Sequence, residues 1–286
     1  MIFLLNNGTL SRPLTKDDIK PRLLGHFGTC PGLTLVYSHA NALIKRRENE
    51  GKDLKSIFVT GPGHGAPSVL AGLYLEGAIT RFYPQYSIDK TGFERFIKSF
   101  SFPGGFPSHI NSETPGCIHE GGELGYSLAV SYGSVMDNPD LITVCVIGDG
   151  ESESGPLAAA LHAHKFIDPA ESGAVLPVLH VNGYKISERT IPGTADDLEL
   201  VTLYSGYGYQ VSFVEYGPLA STIEEHTEKD RNVNASLAVS MEWAYEEIRK
   251  IQTAARNGKP IDKPRWPLMC VYFFIIIFDI LLKRFL

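Results

Sequence analysis

The chain has 286 residues, 43% hydrophobic and 20% charged, with a net charge of −6. That length suffices for a sizeable core in one large α/β domain or two small ones, and the composition is that of an ordinary globular chain. An acidic balance without basic clusters interleaved with aromatics argues against a nucleic-acid partner. The four cysteines (Cys30, Cys117, Cys145, Cys270) form no C-x-x-C pair, which argues against a zinc knuckle and fits a reduced, cytoplasmic setting.

Residues 1–25 read as a polar lead-in. The apolar run Met1-Ile2-Phe3-Leu4-Leu5 is too short for the core of a signal peptide, and no basic segment precedes it. The stretch Gly25-His26-Phe27-Gly28-Thr29-Cys30-Pro31-Gly32 reads as a loop, because glycine and proline punctuate it, and a helix is expected over 33–47. A buried strand over 56–60 runs into the turn Gly61-Pro62-Gly63-His64-Gly65 and a helix over 66–76. Residues 98–120 lack periodicity and are rich in Gly, Pro, Ser and His, long enough to suggest a functional loop. Gly121-Gly122 is expected to open a helix reaching residue 136.

Residues 141–147 form a continuous apolar, β-branched run, the pattern of an inner parallel strand covered on both faces. Gly148-Asp149-Gly150 ends it, a helix is expected over 154–166, and the next strand over 174–181. A weaker α/β alternation continues through 204–215, and a long helix is expected over 237–256. This alternation predicts an α/β fold with a doubly wound, mostly parallel sheet. From Leu268 to Leu282 the chain is almost wholly apolar, broken by Asp279. Fifteen residues would rise about 22 Å as a helix, short of a hydrocarbon core of about 30 Å, which argues against a membrane anchor.

Two strand ends carry the strongest chemical pattern: Gly148-Asp149-Gly150-Glu151 and, 33 residues after Asp149, Asn182-Gly183-Tyr184. In a parallel sheet both loops emerge at the same edge, where ligands bind. Asp149 offers a carboxylate, Asn182 an amide oxygen and Tyr184 a backbone carbonyl, an all-oxygen set suited to Mg²⁺ that shares its shell with phosphates. The glycines let the backbone approach those phosphates, with a helix N-terminus following. Either motif alone is more often a plain turn, and the two together carry the argument. No Walker loop is present and no Rossmann fingerprint sits at a strand end. Four of the nine histidines, His26, His64, His109 and His119, lie in Gly/Pro-rich turns, where imidazole suits proton transfer and hydrogen bonding to sugar hydroxyls or phosphate. His39, His162, His164 and His180 fall in apolar or helical stretches and read as structural. Glu120-Gly121-Gly122-Glu123-Leu124-Gly125 puts small residues where a flat ligand could approach the backbone.

The GDG…N pair resembles the thiamine-diphosphate signature of transketolase-like enzymes. Asn182-Gly183-Tyr184-Lys185-Ile186, where the wider class has a double asparagine, resembles the form found in the xylulose-5-phosphate/fructose-6-phosphate phosphoketolase family. Gly25-His26-Phe27-Gly28, Gly61-Pro62-Gly63-His64-Gly65, Phe102-Pro103-Gly104-Gly105, Pro107-Ser108-His109 and Ile118-His119-Glu120-Gly121-Gly122-Glu123-Leu124-Gly125 resemble that family's blocks in the same order, over roughly residues 15–267.

The resemblance implies the family's thiamine-diphosphate-binding fold and cleavage of xylulose 5-phosphate or fructose 6-phosphate by inorganic phosphate, giving acetyl phosphate, an aldose phosphate and water. It implies that His26, His64 and His119 handle protons and sugar hydroxyls, and that His109 meets the substrate along with His26 and His64. Asp149, Asn182 and the Tyr184 carbonyl would hold Mg²⁺, and Gly122, Leu124, Gly148, Gly150 and Glu151 would line thiamine diphosphate. Family members are expected to be homo-oligomers. They are also far longer, continuing into a pyrimidine-binding domain with the activating glutamate. The chain is therefore expected to be a truncated N-terminal, diphosphate-binding domain over 1–267, with an unrelated hydrophobic tail over 268–286 and little turnover alone. Rival expectations are another transketolase-like enzyme, which Asn182-Gly183-Tyr184 argues against, and a non-catalytic cofactor-binding remnant.

Overall fold

The computed structural model describes residues 12–13, 15, 24–52, 54–185, 188–217 and 222–273, with the side chains of 24–27 excepted. The β-branched apolar runs form the sheet: β1 (Lys55–Thr60), β2 (Leu141–Gly148), β3 (Ala174–Val181), β4 (Tyr209–Tyr216) and β5 (Trp266–Phe273). They lie in the order β1-β2-β3-β5-β4, and every pairing is parallel. All eight residues of β3 and of β5 are buried, as inner parallel strands require. Pairing between β3 and β5 begins at Val178, one residue after Pro177, whose nitrogen carries no hydrogen to donate.

Alternate residues of β2 face opposite layers. Ile142 and Val144 share an apolar pocket with Ala40 and Leu43 of α1 (Leu24–Asn49) and with Tyr245 and Ile248 of the C-terminal helix Ile223–Arg256. On the other face, Thr143 hydrogen-bonds to Ser134 of the helix Ser127–Val135 at 2.8 Å. Helices therefore cover both faces, and the doubly wound parallel α/β architecture expected from the alternation is present. Between β1 and β2 run α2 (Ala66–Leu75), α3 (Ala78–Phe82), α4 (Lys90–Ser99) and α5 (Ser127–Val135). Then come α6 (Asp149–Ser152), α7 (Gly155–Ala160), α8 (Asp197–Tyr207) and α9 (Ile223–Arg256).

Several boundaries differ from the sequence expectation, each for a physical reason. The stretch 24–32 is helix, not loop: α1 starts at Leu24 and contains Pro31. Its glycines serve close packing rather than turning. A Cβ on Gly32 would lie 2.0 Å from His180 Nε2, and one on Gly28 3.2 Å from Asn182 Nδ2. The helix expected from 121 begins only at Ser127, because Gly121 is committed to a backbone contact with Gly63 and Gly125 takes φ +96°. The helix expected over 154–166 is the short α7 followed by a 3-10 turn, Ala163–Phe166. Helix α9 starts fourteen residues before the expected position 237. Its first turns carry charge instead of an apolar stripe, and they are held by the Thr222 cap on Glu225 N (3.2 Å) and by Glu224 and Glu225 at the positive end of the helix dipole.

The boundary expected after Pro267 falls inside β5. Leu268 to Phe273 are wholly buried between β3 and β4, so the apolar character of that stretch is that of an inner strand. Positions 274–286 of the expected tail lie outside the described residues. Among the described residues no helix is long and apolar enough to cross a membrane.

Candidate functional site

Because all five strands run parallel, Thr60, Gly148, Val181, Tyr216 and Phe273 end at one edge of the sheet. The loops after β1, β2 and β3 meet there. Gly63 and Gly121 touch backbone to backbone: a Cβ on either would fall 2.2–2.3 Å from the other's main chain. The contact is fastened by Gly63 N donating to Gly121 O (3.1 Å), Ile110 N to Gly63 O (3.0 Å) and Gly121 N to Ile110 O (3.1 Å). The turn after β1, with His64, and the long connection between α4 and α5, with His109 and His119, are thus locked together by main-chain bonds that a side chain at either glycine would break.

Asp149 joins the two acidic and amide motifs directly. Its Oδ2 accepts from Gly183 N at 2.7 Å and from the Thr190 hydroxyl at 2.9 Å, and its Oδ1 accepts from Gly150 N at 3.0 Å. Burial raises the Asp149 pKa above the usual carboxylate value, and these donors work against that rise. Asn182 Oδ1 accepts from Tyr184 N at 2.9 Å, an Asx turn that leaves a second lone pair on the amide oxygen. Asp149, Asn182 and the Tyr184 carbonyl offer oxygen donors, one of them a carboxylate, of the kind Mg²⁺ takes. Among the described residues there is no cluster of three or more His, Cys, Asp or Glu to suit a softer metal.

Glu151 is placed differently from the lining role expected for it. Its carboxylate is buried beneath the loops: Oε1 accepts from Ser127 Oγ (2.6 Å) and Gly125 N (3.1 Å), and Oε2 from Gly148 N (3.2 Å). A Cβ on Gly61 would lie 2.0 Å from Oε2, so this carboxylate ties together the loops after β1 and β2 and the start of α5. Gly122 and Leu124 sit exposed at the rim of the loop that Glu151 anchors. The Tyr184 ring is exposed, with the Arg189 guanidinium 5.8 Å from its centroid.

His64 and His109 come together, with ring centroids 6.3 Å apart, and His109 is exposed. His64 Nε2 lies 2.7 Å from the hydroxyl of buried Thr29. His119 is buried, its Nε2 has no hydrogen-bond partner, and burial lowers its pKa. It lines a cleft of about 310 Å³ along β1 with Tyr37, Asn41, Thr60 and Ile110. His26 lies in the first turn of α1, and its side chain is outside the described residues. Of the histidines read as structural, His39 bonds Asn234 Oδ1 (2.9 Å) and His164 the Tyr207 carbonyl (2.9 Å).

Sequence reasoning missed Thr29, Ser127, Glu153 and Thr190. Glu153 accepts from Lys185 Nζ (2.7 Å) and Ile191 N (2.6 Å), pinning the loop that follows Asn182. Thr29 lies in the Gly25–Gly32 stretch but carries no chemical signal there, and Glu153 and Thr190 belong to no glycine motif. The turn residues Pro192-Gly193 were the one local sign that this loop folds back.

A family model described as the XFP N-terminal domain matches residues 1–273. A protein named "Probable phosphoketolase" from Schizosaccharomyces pombe is 54% identical over 269 residues, covering 94% of this chain and 30% of that protein. Proteins of the same name from Nitrosospira multiformis and Chlorobaculum tepidum are 49% and 48% identical, each over 94% of this chain and 32% of their own length. The chain thus spans about a third of the length of these curated relatives. A solved transketolase from Campylobacter jejuni aligns at a TM-score of 0.48 and 15% identity, over 89% of this chain and 38% of its own, and at that level adds nothing to the fold described above.

Proposed function

Since the chain belongs to the XFP N-terminal domain family, we propose that it is the diphosphate-binding part of a phosphoketolase-type enzyme. The reaction is cleavage of xylulose 5-phosphate or fructose 6-phosphate by inorganic phosphate to acetyl phosphate, an aldose phosphate and water. Thiamine diphosphate would be the cofactor and would supply the electron sink for carbon–carbon cleavage, and Mg²⁺ would be held with its diphosphate at this corner. The observation that carries this reading is the 2.7 Å bond from Gly183 N to Asp149 Oδ2, which joins the GDG and NGY loops into one oxygen-lined corner.

In this reading Asp149, Asn182 and the Tyr184 carbonyl hold Mg²⁺, and Gly148 and Gly150 let the main chain come close to the diphosphate. Gly122 and Leu124 lie at the rim, Leu124 offering exposed apolar surface to a flat ring. Glu151 keeps those loops in register through Ser127, Gly125 and Gly148. His64 and His109, side by side, bind and exchange protons with the sugar hydroxyls, joined by His26, while buried His119 is kept neutral and able to accept a proton. The domain spans 1–273, a revision of the 1–267 expected from sequence, and acts in the cytoplasm within a homo-oligomer.

About two thirds of the relatives' length lies outside the match, and in this reading that remainder supplies the residues that complete the pocket. The chain by itself accordingly binds thiamine diphosphate with Mg²⁺ and turns over little. Calorimetric titration should show Mg²⁺-dependent binding of thiamine diphosphate that Asp149→Ala abolishes. Equal binding by the two proteins would sink the site. Rapid acetyl phosphate formation by the isolated chain would refute the need for the remainder.

A further inference from the structure

We propose that Thr190, which belongs to no motif, is a positioning residue that fixes the orientation of the Asp149 carboxylate so that one oxygen stays available to the metal. The inference rests on the Mg²⁺–diphosphate reading of this corner.

Thr190 is fully buried. A hydroxyl has one proton to donate. Gly193 N donates into Thr190 Oγ1 at 3.1 Å, so the hydroxyl proton goes to Asp149 Oδ2, 2.9 Å away. Gly183 N donates to the same oxygen at 2.7 Å. The loop's two ends are joined by Thr190 N bonding to Gly183 O at 3.1 Å, and Gly193 packs so closely on Gly183 that a Cβ there would lie 2.4 Å from its Cα. The loop is pinned from outside by Ile191 N bonding to Glu153 Oε1 at 2.6 Å.

Oδ2 therefore holds two hydrogen bonds from opposite ends of one closed loop. Oδ1 accepts from its own neighbour Gly150 at 3.0 Å, and the Asn182 backbone N–H also bonds the carboxylate. The carboxylate cannot rotate about its last bond without breaking both bonds to Oδ2 in a buried setting. Held this way, the carboxylate would keep Oδ1 available to a cation. Without the hydroxyl, Gly193 N loses its acceptor and Oδ2 loses one of its donors, so the carboxylate is held less firmly. Outer partners of this kind typically tune metal affinity by about 10–100-fold.

The test is Mn²⁺ binding to the full 286-residue chain with thiamine diphosphate present, followed by the electron paramagnetic resonance signal of free Mn²⁺. Thr190→Val, which keeps the shape and drops the hydroxyl, should weaken Mn²⁺ binding by about tenfold or more. Thr190→Ser, which keeps the hydroxyl, should stay within about twofold. Melting curves establish that each variant is folded, and Thr190→Ala takes the place of a valine variant that is not. Wild-type affinity in the hydroxyl-free variant overturns the proposal, as does an equal loss in the serine variant. Asp149→Ala separates the two levels of inference. If wild type binds no better than Asp149→Ala, the metal site itself fails and Thr190 with it. If wild type binds and Thr190→Val matches it, only the positioning role fails.

Discussion

His180 offers a direct measurement of how tightly α1 is pressed onto the sheet. Its imidazole is wholly buried at the end of β3, stacked on Phe273 with centroids 6.0 Å apart and planes at 10°, and its Nε2 has no hydrogen-bond partner. Burial, with a smaller push from nearby His64, lowers its pKa from 6.5 to about 4. In the unfolded chain the ring titrates near its ordinary value of about 6.5. Between those two values the unfolded state binds more protons than the folded one, so stability falls as pH drops through the window from about 6.5 to about 4. At about 1.4 kcal/mol per unit, the whole passage removes roughly 3 kcal/mol. Urea denaturation at a series of pH values from about 7.5 to 4 reads this directly when wild type is compared with His180→Leu, a non-titrating side chain of similar bulk. Burial also lowers His119 and His164 and raises Asp149 and Glu151, but these shifts are common to both proteins and cancel in the difference. The stability difference between the two should move by about 3 kcal/mol in favour of the leucine variant as pH falls. Parallel stability curves would refute the burial argument.

Two further outcomes follow from the same packing. Gly32→Ala puts a Cβ 2.0 Å from His180 Nε2 and 2.9 Å from Phe273 Cδ2, neither of which has room to retreat. The helix-propensity gain of about 1 kcal/mol is outweighed by overpacking of about 1–3 kcal/mol or more, so the melting temperature should drop, and an unchanged or higher one would count against the contact. Glu151→Ala strips the acceptor from Ser127 Oγ, Gly125 N and Gly148 N at a buried point. A loss of about 3 kcal/mol or more is expected in urea, with faster amide exchange at Gly125 and Gly148, and wild-type protection at both amides would contradict the tie.

Much of this architecture was legible in the chain. The runs at 141–147 and 174–181 are apolar and β-branched without alternation, and a strand of that kind has to be inner and parallel. The loops that carry Asp149 and Asn182 were readable as neighbours because strands of one parallel sheet deliver their ends to one edge. Gly25 to Gly32 misled because glycine and proline mark turns far more often than they mark a crowded helix contact. The polar start of α9 carried no apolar stripe to reveal it. The apolar stretch after Pro267 read as a foreign tail because its neighbours β3 and β4 are distant in sequence, and only their pairing makes it an inner strand.

The sequence by itself determined the fold class, the first three strands along the chain and the two loops that meet at Asp149, because hydrophobic periodicity and strand-end glycines are local properties. The tertiary structure alone decided that Glu151 fastens loops from beneath, that Thr29 reaches His64 and that Thr190 holds Asp149. Those contacts span 24, 35 and 41 residues between side chains of ordinary type, and a hydrogen bond over that separation depends on the packing of helices and loops that no local pattern encodes.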